Sequence, residues 1–324
     1  MKIKDALNDL KSGLVYPVYY LKGSDQFLQS FYIDKVSEAF FKGDPENKTL
    51  MLPDDMKGKE IIDLLTMSDL FATKKLFILK NPQQLKGKVS DDLLAYCKSP
   101  NDNHILILTN DDWMKKAAFL THVQKLIDPI DVQTPFASDL KKWANYFFKE
   151  RHKSAHPSVV NIMVEMAGDS VAHLRNEIEK VCLWAGDRNE ITSEDIELFS
   201  GWKREHQRWE FLLALGGKDY DRTIALGKTI ITSNESMISL IYSLTTLFQE
   251  MLFAKMKNGT FGEPRGYMPI PPSVKKRIPQ FSKGFSREKL ELALDQLGQI
   301  DKRQKTTFST DETELIQFIG HVIG

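Results

Sequence analysis

Cysteine is nearly absent: 324 residues contain two, Cys97 and Cys182. Two distant thiols exclude a disulfide framework, and each stands in a helical apolar pattern, so they read as buried and reduced in an intracellular protein. The seven histidines are scattered, and no Cys/His cluster has the spacing of metal ligands, so no metal is expected. Excess charge is also missing. Lys+Arg and Asp+Glu each number 44, which excludes a protein that coats nucleic acid by net charge alone and leaves a local basic face open. Long hydrophobic runs are absent too. The most apolar stretch, Met237 to Phe253, is broken by Ser239, Ser243, Thr245, Thr246, Gln249 and Glu250, and reads as a buried helix rather than a membrane span. The opening Met1-Lys2-Ile3-Lys4-Asp5 begins an amphipathic helix and carries no apolar signal region. The expectation is a cytoplasmic protein without a membrane partner.

What is present suits folded domains. At 42% hydrophobic and 27% charged, the composition argues against general disorder, and the length allows two or three domains with substantial cores. No internal repeat or low-complexity tract stands out. The first 135 or so residues alternate strand and helix patterns. Strands are expected at Val15–Leu21, Lys48–Leu52, Lys75–Leu79, Ile105–Thr109 and Ile130–Gln133. Helices are expected at Asp25–Phe41, Lys59–Met67, Ser90–Lys98 and Asp112–Leu126. Repeated β–α alternation implies a mostly parallel sheet with right-handed crossovers.

After Phe136 the period changes and no convincing strand remains. Ala137–His152, Pro157–Ala167, Ser170–Ala185 and Ser193–Phe199 read as four helices, with Gly168-Asp169 and Gly186-Asp187 as stop-and-restart signals and Ser200-Gly201 as the close. Trp209–Leu215, Tyr220–Thr232, Asn234–Lys257, Ser286–Thr306 and Thr310–Val322 continue the helical part. A Gly/Pro-rich stretch at 259–272 reads as an irregular loop.

The α/β scaffold suggests a nucleotide-binding domain, yet its phosphate loop is missing. After the strand ending at Leu21 come Lys22-Gly23-Ser24-Asp25-Gln26. A Walker loop needs two glycines separated by four residues, then Lys and Ser/Thr, so that backbone N–H groups wrap a phosphate. Here one glycine is followed by an acid that can cap the next helix and repels phosphate. Gly227-Lys228-Thr229 is the chain's only such tripeptide. It lacks the first glycine, with Arg222 in that place, and no strand precedes it, so it reads as coincidence. Asp111-Asp112, after the apolar Ile105–Leu108 run, reads as a turn and helix cap rather than a magnesium site. No Ser/His/Asp or Cys/His set has a local signature, so no catalytic residue is assigned.

Three further segments hold interest. The helix around Leu174-Arg175-Asn176-Glu177-Ile178-Glu179-Lys180 has Arg175/Glu179 and Asn176/Lys180 at i,i+4, the pattern of a self-paired solvated face; contact with a neighbouring subunit or a nucleotide is the rival. Leu70-Phe71 falls between a helix and a strand, beside Ser68, Asp69 and Thr73. Adjacent residues cannot share one narrow helical stripe. Either both pack as core, or one points outward into a partner's apolar pocket. Pattern alone leaves both readings open. Lys275-Lys276-Arg277 and Lys302-Arg303-Gln304-Lys305 read as solvated faces, too short to argue phosphate contact.

Order and spacing now add something that no single motif carries. Tyr19-Tyr20-Leu21, Gly23, Asp25 and Phe27-Leu28; Ser68-Asp69-Leu70-Phe71 before Lys74-Lys75-Leu76; Leu174-Arg175-Asn176-Glu177 with Lys180 and Ala185-Gly186; and Asp301 with Lys305-Thr306 together resemble the family of delta subunits of the bacterial DNA polymerase III clamp loader. The resemblance spans nearly the whole chain. It implies an α/β N-terminal AAA+-like domain with a parallel sheet and a degenerate nucleotide site at Gly23, Ser24 and Asp25, spanning 1–136. A helical lid at 137–205 and an all-α C-terminal collar (oligomerisation) domain at 206–324 would follow.

The implied role is to bind and help open the sliding clamp (beta subunit) for loading onto primed DNA. The subunit would need no cofactor and would hydrolyse no ATP of its own, within a DNA polymerase III holoenzyme. The implied partners are the gamma/tau motor subunits and delta-prime, with primer-template DNA reached through the assembled complex. By the same resemblance Leu70 and Phe71 enter the clamp's hydrophobic pocket, flanked by Met67, Ser68 and Asp69. Family members often carry Gln a few residues before the Leu-Phe, where this chain has Met67. The competing readings are an active AAA+ ATPase with an atypical loop, a helical adaptor in another replication or repair complex, and a stand-alone nucleic-acid-binding protein, against which the neutral charge weighs.

Overall fold

The computed structural model describes residues 1–67, 74–111, 117–168, 170–198, 200–232, 235–256, 270–307 and 309–324. The chain divides into two compact units, 1–134 and 135–324.

In the first unit the elements are α1 (Ile3–Lys11), β1 (Val18–Lys22), α2 (Gln26–Phe41), β2 (Lys48–Met51), α3 (Gly58–Thr66), β3 (Lys75–Lys80), α4 (Lys88–Lys98), β4 (His104–Asn110), α5 (Ala118–Leu126) and β5 (Ile130–Asp131). The five strands form one parallel sheet in the order β2-β3-β4-β1-β5. Tyr20 pairs with Leu108, and Ile78 with Ile107. The central strands are apolar runs because helices cover both faces: every residue of β4 is buried. At the edge, β2 keeps only Met51 buried. The first strand starts at Val18, later than expected. Pro17 has no N–H to donate, although its carbonyl accepts from Leu106 N, and Tyr16 N is taken by the Tyr19 hydroxyl. The helix expected from Asp112 is described only from Ala118; residues 112–116 lie outside the described set.

The second unit contains α6 (Ala137–Glu150), β6 (Ser154–Ala155), α7 (Pro157–Ala167), α8 (Val171–Ala185), β7 (Glu190–Ile191), α9 (Ser193–Leu198), α10 (Ser200–Gly216), α11 (Tyr220–Thr232), α12 (Met237–Met256), α13 (Pro272–Lys275), α14 (Ile278–Gly284), α15 (Arg287–Thr306) and α16 (Asp311–Ile323). One expectation is corrected here: β6 and β7 form a small parallel pair after Phe136. Two residues are too few to show a period of two, so no sequence pattern marks them. A second correction concerns Ser200-Gly201, which begins α10 instead of closing a module. Ser suits a helix start as well as a loop. The expected 205/206 boundary consequently falls inside α10.

Punctuation elsewhere holds. Gly168 and Gly186 follow α7 and α8 with φ of 65° and 55°, and Ser170 caps α8 by accepting from His173 N. The apolar α12 is a core helix: Met237, Leu240, Leu244, Leu247, Phe248 and Met251 are buried with residues of α14, α15 and α16. Both cysteines are buried, and burial pushes the Cys97 thiol up to about 12.

Candidate functional site

Open parallel sheets bind ligands at the carboxyl ends of their strands. In this sheet that edge is formed by the ends of β1, β4 and β3, and the β1–α2 loop lies there. Two of its N–H groups are already used. Gly23 N donates to Asn110 O at 3.1 Å, and Asp25 N donates to Val132 O at 3.2 Å. Val132 N in turn donates to Lys22 O, so the chain after β5 lies along the loop. Gly23 is buried with φ +144°, and a Cβ there would stand 2.4 Å from Gln133 N. The glycine serves close backbone approach within the protein. Asp25 is the N-cap of α2, its Oδ1 accepting from Leu28 N at 3.0 Å. A carboxylate therefore occupies the helix terminus where a phosphate would bind. Ser24 is exposed at the loop tip.

Behind the loop, side-chain amides bond one another and Asp111, while the buried Gln83 Oε1 is left without a partner among the described residues. Gln29 Nε2 donates to Gly23 O at 2.7 Å and to Asp111 Oδ1 at 2.8 Å. Asp111 N donates to Asn81 Oδ1, and Asn81 Nδ2 donates to Asp111 Oδ2 at 3.4 Å. Gln83 Nε2 donates to Asn81 Oδ1 and Asn110 Oδ1, and Asn110 Nδ2 donates to the Tyr20 hydroxyl. Asp111, expected as part of a turn and helix cap, stands at a bend and accepts from two amides; Asp112 lies outside the described residues. Sequence reasoning missed this network. Its one signal was Gln29, a polar residue on the buried face of α2, one helical turn beyond Asp25.

The other segment singled out in the sequence falls between α3 and β3, and only its ends are described. All strands are parallel, so Lys75, the first residue of β3, lies at the sheet edge opposite the β1–α2 loop. Ser68, Asp69, Leu70 and Phe71 lie outside the described residues. Met67 ends α3 with an extended backbone and is exposed. On the far side, Lys74 is pinned, its Nζ 2.9 Å from Asp44 Oδ2 and 3.2 Å from Phe40 O. Leu65 and Leu76, just beyond these ends, are fully buried.

The remaining motifs resolve into local structure. Gly227-Lys228-Thr229 lies within α11. A Cβ on Gly227 would meet Leu315 at 3.0 Å, and Thr229 bonds Ala225 O in its own helix. Arg175 pairs with Glu179 at 3.3 Å, as its spacing predicts, and Arg151 joins them. Lys180 pairs with Glu177 at 2.6 Å rather than with Asn176, because the carboxylate is the stronger acceptor. In the basic cluster near the end of α15, Arg303 binds Glu314 through two nitrogens and Lys305 binds Asp301.

Comparison with known proteins agrees with the resemblance read from the motifs. No protein-family model matches the chain. It is 23% identical to DNA polymerase III subunit delta of Bacillus subtilis over 328 residues, covering 93% of this chain and 91% of that protein. It is 19% identical to a probable DNA polymerase III subunit delta of Aquifex aeolicus over 227 residues, 66% of this chain and 64% of the other. The solved structure of the Bacillus subtilis DNA clamp loader delta protein superimposes with a TM-score of 0.81 at 20% identity, covering 99% of each chain. The resemblance to the delta subunit is borne out, and so is the fold class: an α/β domain built on a parallel sheet, followed by a helical region whose one sheet is the short β6–β7 pair.

Proposed function

We propose that this chain is a clamp-loader subunit that binds the sliding clamp and helps open it without hydrolysing ATP. The observation that carries this reading is the closed β1–α2 loop in a chain that resembles a delta subunit over its whole length. The N–H groups of Gly23 and Asp25 bond protein carbonyls, and the α2 terminus holds the Asp25 carboxylate. A subunit built in this way contributes binding rather than chemistry. To open a ring it must prefer the open form, because only differential affinity shifts an equilibrium. Leu70 and Phe71, with Met67, Ser68 and Asp69, are the anchor we assign to the clamp; two such side chains contribute about 1.5–3 kcal/mol each when buried in a pocket. Its partners are then the motor subunits, delta-prime and, through the complex, primer-template DNA in the cytoplasm. The three-part division into AAA+-like domain, lid and collar belongs to the same reading.

Calorimetric titration of the chain against the sliding clamp of its own organism tests this, with Leu70→Ala/Phe71→Ala measured beside it. The expected result is binding by the wild type and loss of binding in a variant that still melts cooperatively. No binding by the folded wild type would favour the adaptor reading. Equal binding by both would keep the function and return the two residues to the core.

A further inference from the structure

The helical unit holds two groups of helices, and α10 runs from one to the other. Helices α6, α7, α8 and α9 pack among themselves, and α9 packs on α10. Further along, Phe211, Leu212 and Leu215 of α10 join the core built on α12, α14, α15 and α16. A single helix is one attachment, and two bodies joined at one attachment can swing about it. A second attachment lies elsewhere. Glu165 Oε1, on α7, accepts from Ser273 N at 2.7 Å, across 108 positions of sequence. Both ends of this bond are rooted. Val159, Val160, Met163 and Val164 of α7 are buried. On the other side, Ile270 and Val274 are buried in the same core as Leu215.

The bond answers a local need. The start of α13 is Pro271-Pro272, so these two residues have no N–H, and Pro271 offers no capping side chain. Val274 N and Lys275 N both donate to Pro271 O. Ser273 N takes its acceptor from α7 instead. Glu165 stands in the last turn of α7, where the helix dipole disfavours a carboxylate. Its own helix does not account for it there, whereas the amide it reaches does, through a bond of the stronger, charge-assisted kind. We infer that the Glu165–Ser273 bond is a latch. It holds α6, α7, α8 and α9 in one orientation on the core around α12, and its release frees them to swing about α10. While it holds, whatever moves one group of helices carries the other with it. The latch concerns the chain's own motion and does not depend on the clamp-loader reading.

Electron–electron distance spectroscopy on the full chain tests this, with spin labels on Leu183→Cys of α8 and Leu292→Cys of α15, two exposed positions. Cys97 and Cys182 are buried, which keeps them from the label. With Glu165 in place, one narrow distance distribution is expected. Glu165→Ala is expected to broaden it or add a second maximum while melting stays cooperative. Glu165→Met, which keeps the bulk of the side chain, reads the same loss if the alanine variant does not fold. Glu165→Gln retains an acceptor oxygen and is expected to keep the narrow distribution. So is Asn161→Ala, a change at an exposed residue one turn earlier on α7. A broad distribution with Glu165 in place, or one left unchanged by loss of the acceptor, would overturn the latch. Broadening by Glu165→Gln or Asn161→Ala as great as that by Glu165→Ala would overturn it too, since the acceptor oxygen would then not be what holds the two groups.

Discussion

Gly23 lies so close to Val132 that a Cβ at position 23 would stand 2.6 Å from the Val132 carbonyl oxygen. Close backbone approach and a φ of +144° both require glycine there. Gly23→Ala is therefore expected to destabilise the first unit by roughly 2–4 kcal/mol, combining backbone strain with overpacking. Urea denaturation followed by circular dichroism measures it. A change under about 0.5 kcal/mol, the usual size for a surface site, would mean the two segments do not pack as described.

Gln29 ties the loop to the end of β4 by donating to both Gly23 O and Asp111 Oδ1. Gln29→Ala leaves those acceptors without their donor, at about 1–3 kcal/mol. Because this network fills the edge where a nucleotide would sit, neither wild type nor Gln29→Ala is expected to bind a fluorescent ATP analogue. Saturable binding by the wild type would favour an ATPase with an atypical loop.

Arg303 holds the buried Glu314 carboxylate through Nε and a terminal nitrogen at 2.8 and 2.7 Å, and Ser309 adds a third donor. The Arg303 bonds draw the Glu314 carboxyl below its ordinary 4.5. The native state then binds fewer protons than the unfolded chain in this range. The stabilisation is fully present above pH 4.5 and is lost as pH falls through the depressed native value. Arg303→Met is expected to cost about 1.5–3 kcal/mol at pH 7, with the gap from wild type narrowing below about pH 4. Denaturation midpoints at pH 7, 5 and 3.5 check this, and a constant gap would sink it.

The Gly-Lys-Thr tripeptide separates packing from phosphate binding. Gly227 faces Leu315, Phe211 and Ile319, and a Cβ at position 227 would stand 3.0 Å from the nearest Leu315 methyl. Gly227→Val is expected to lower the melting temperature, at roughly 1–3 kcal/mol of overpacking. Lys228→Ala is expected to change stability by less than about 0.5 kcal/mol, since its pairing with Glu312 at 3.7 Å is exposed. The reverse ranking would revive a functional reading of the motif.

Much of this molecule was legible where period and punctuation coincide. The apolar runs at Ile105–Leu108 and Lys75–Leu79 became central strands, and Asp25 became a helix cap. What escaped was long-range or very short. The amides of Gln29, Asn81, Gln83 and Asn110 meet only because β1, β3 and β4 end side by side. The strands β6 and β7 have two residues each, below any readable period. The role of Gly23 depends on Val132, more than a hundred positions away. A missing Walker loop could be read from Gly23-Ser24-Asp25, whereas the chain segment that closes the space could not.

Met67 offers the sharpest functional prediction, because it stands at the described edge of the proposed clamp element. It ends α3 in an extended conformation with its side chain exposed, so a substitution there disturbs no core contact. The delta-subunit resemblance places Gln a few residues before the Leu-Phe pair, and a thioether is only a weak acceptor in place of an amide. Met67→Gln is expected to leave melting unchanged and to tighten binding to the sliding clamp. One added hydrogen bond contributes about 0.5–1.5 kcal/mol, or roughly two- to twelvefold in affinity. Calorimetry of Met67→Gln beside the wild type reads this directly. Weaker binding would show that the methionine itself packs against the clamp, and unchanged binding would place the contact wholly beyond position 67.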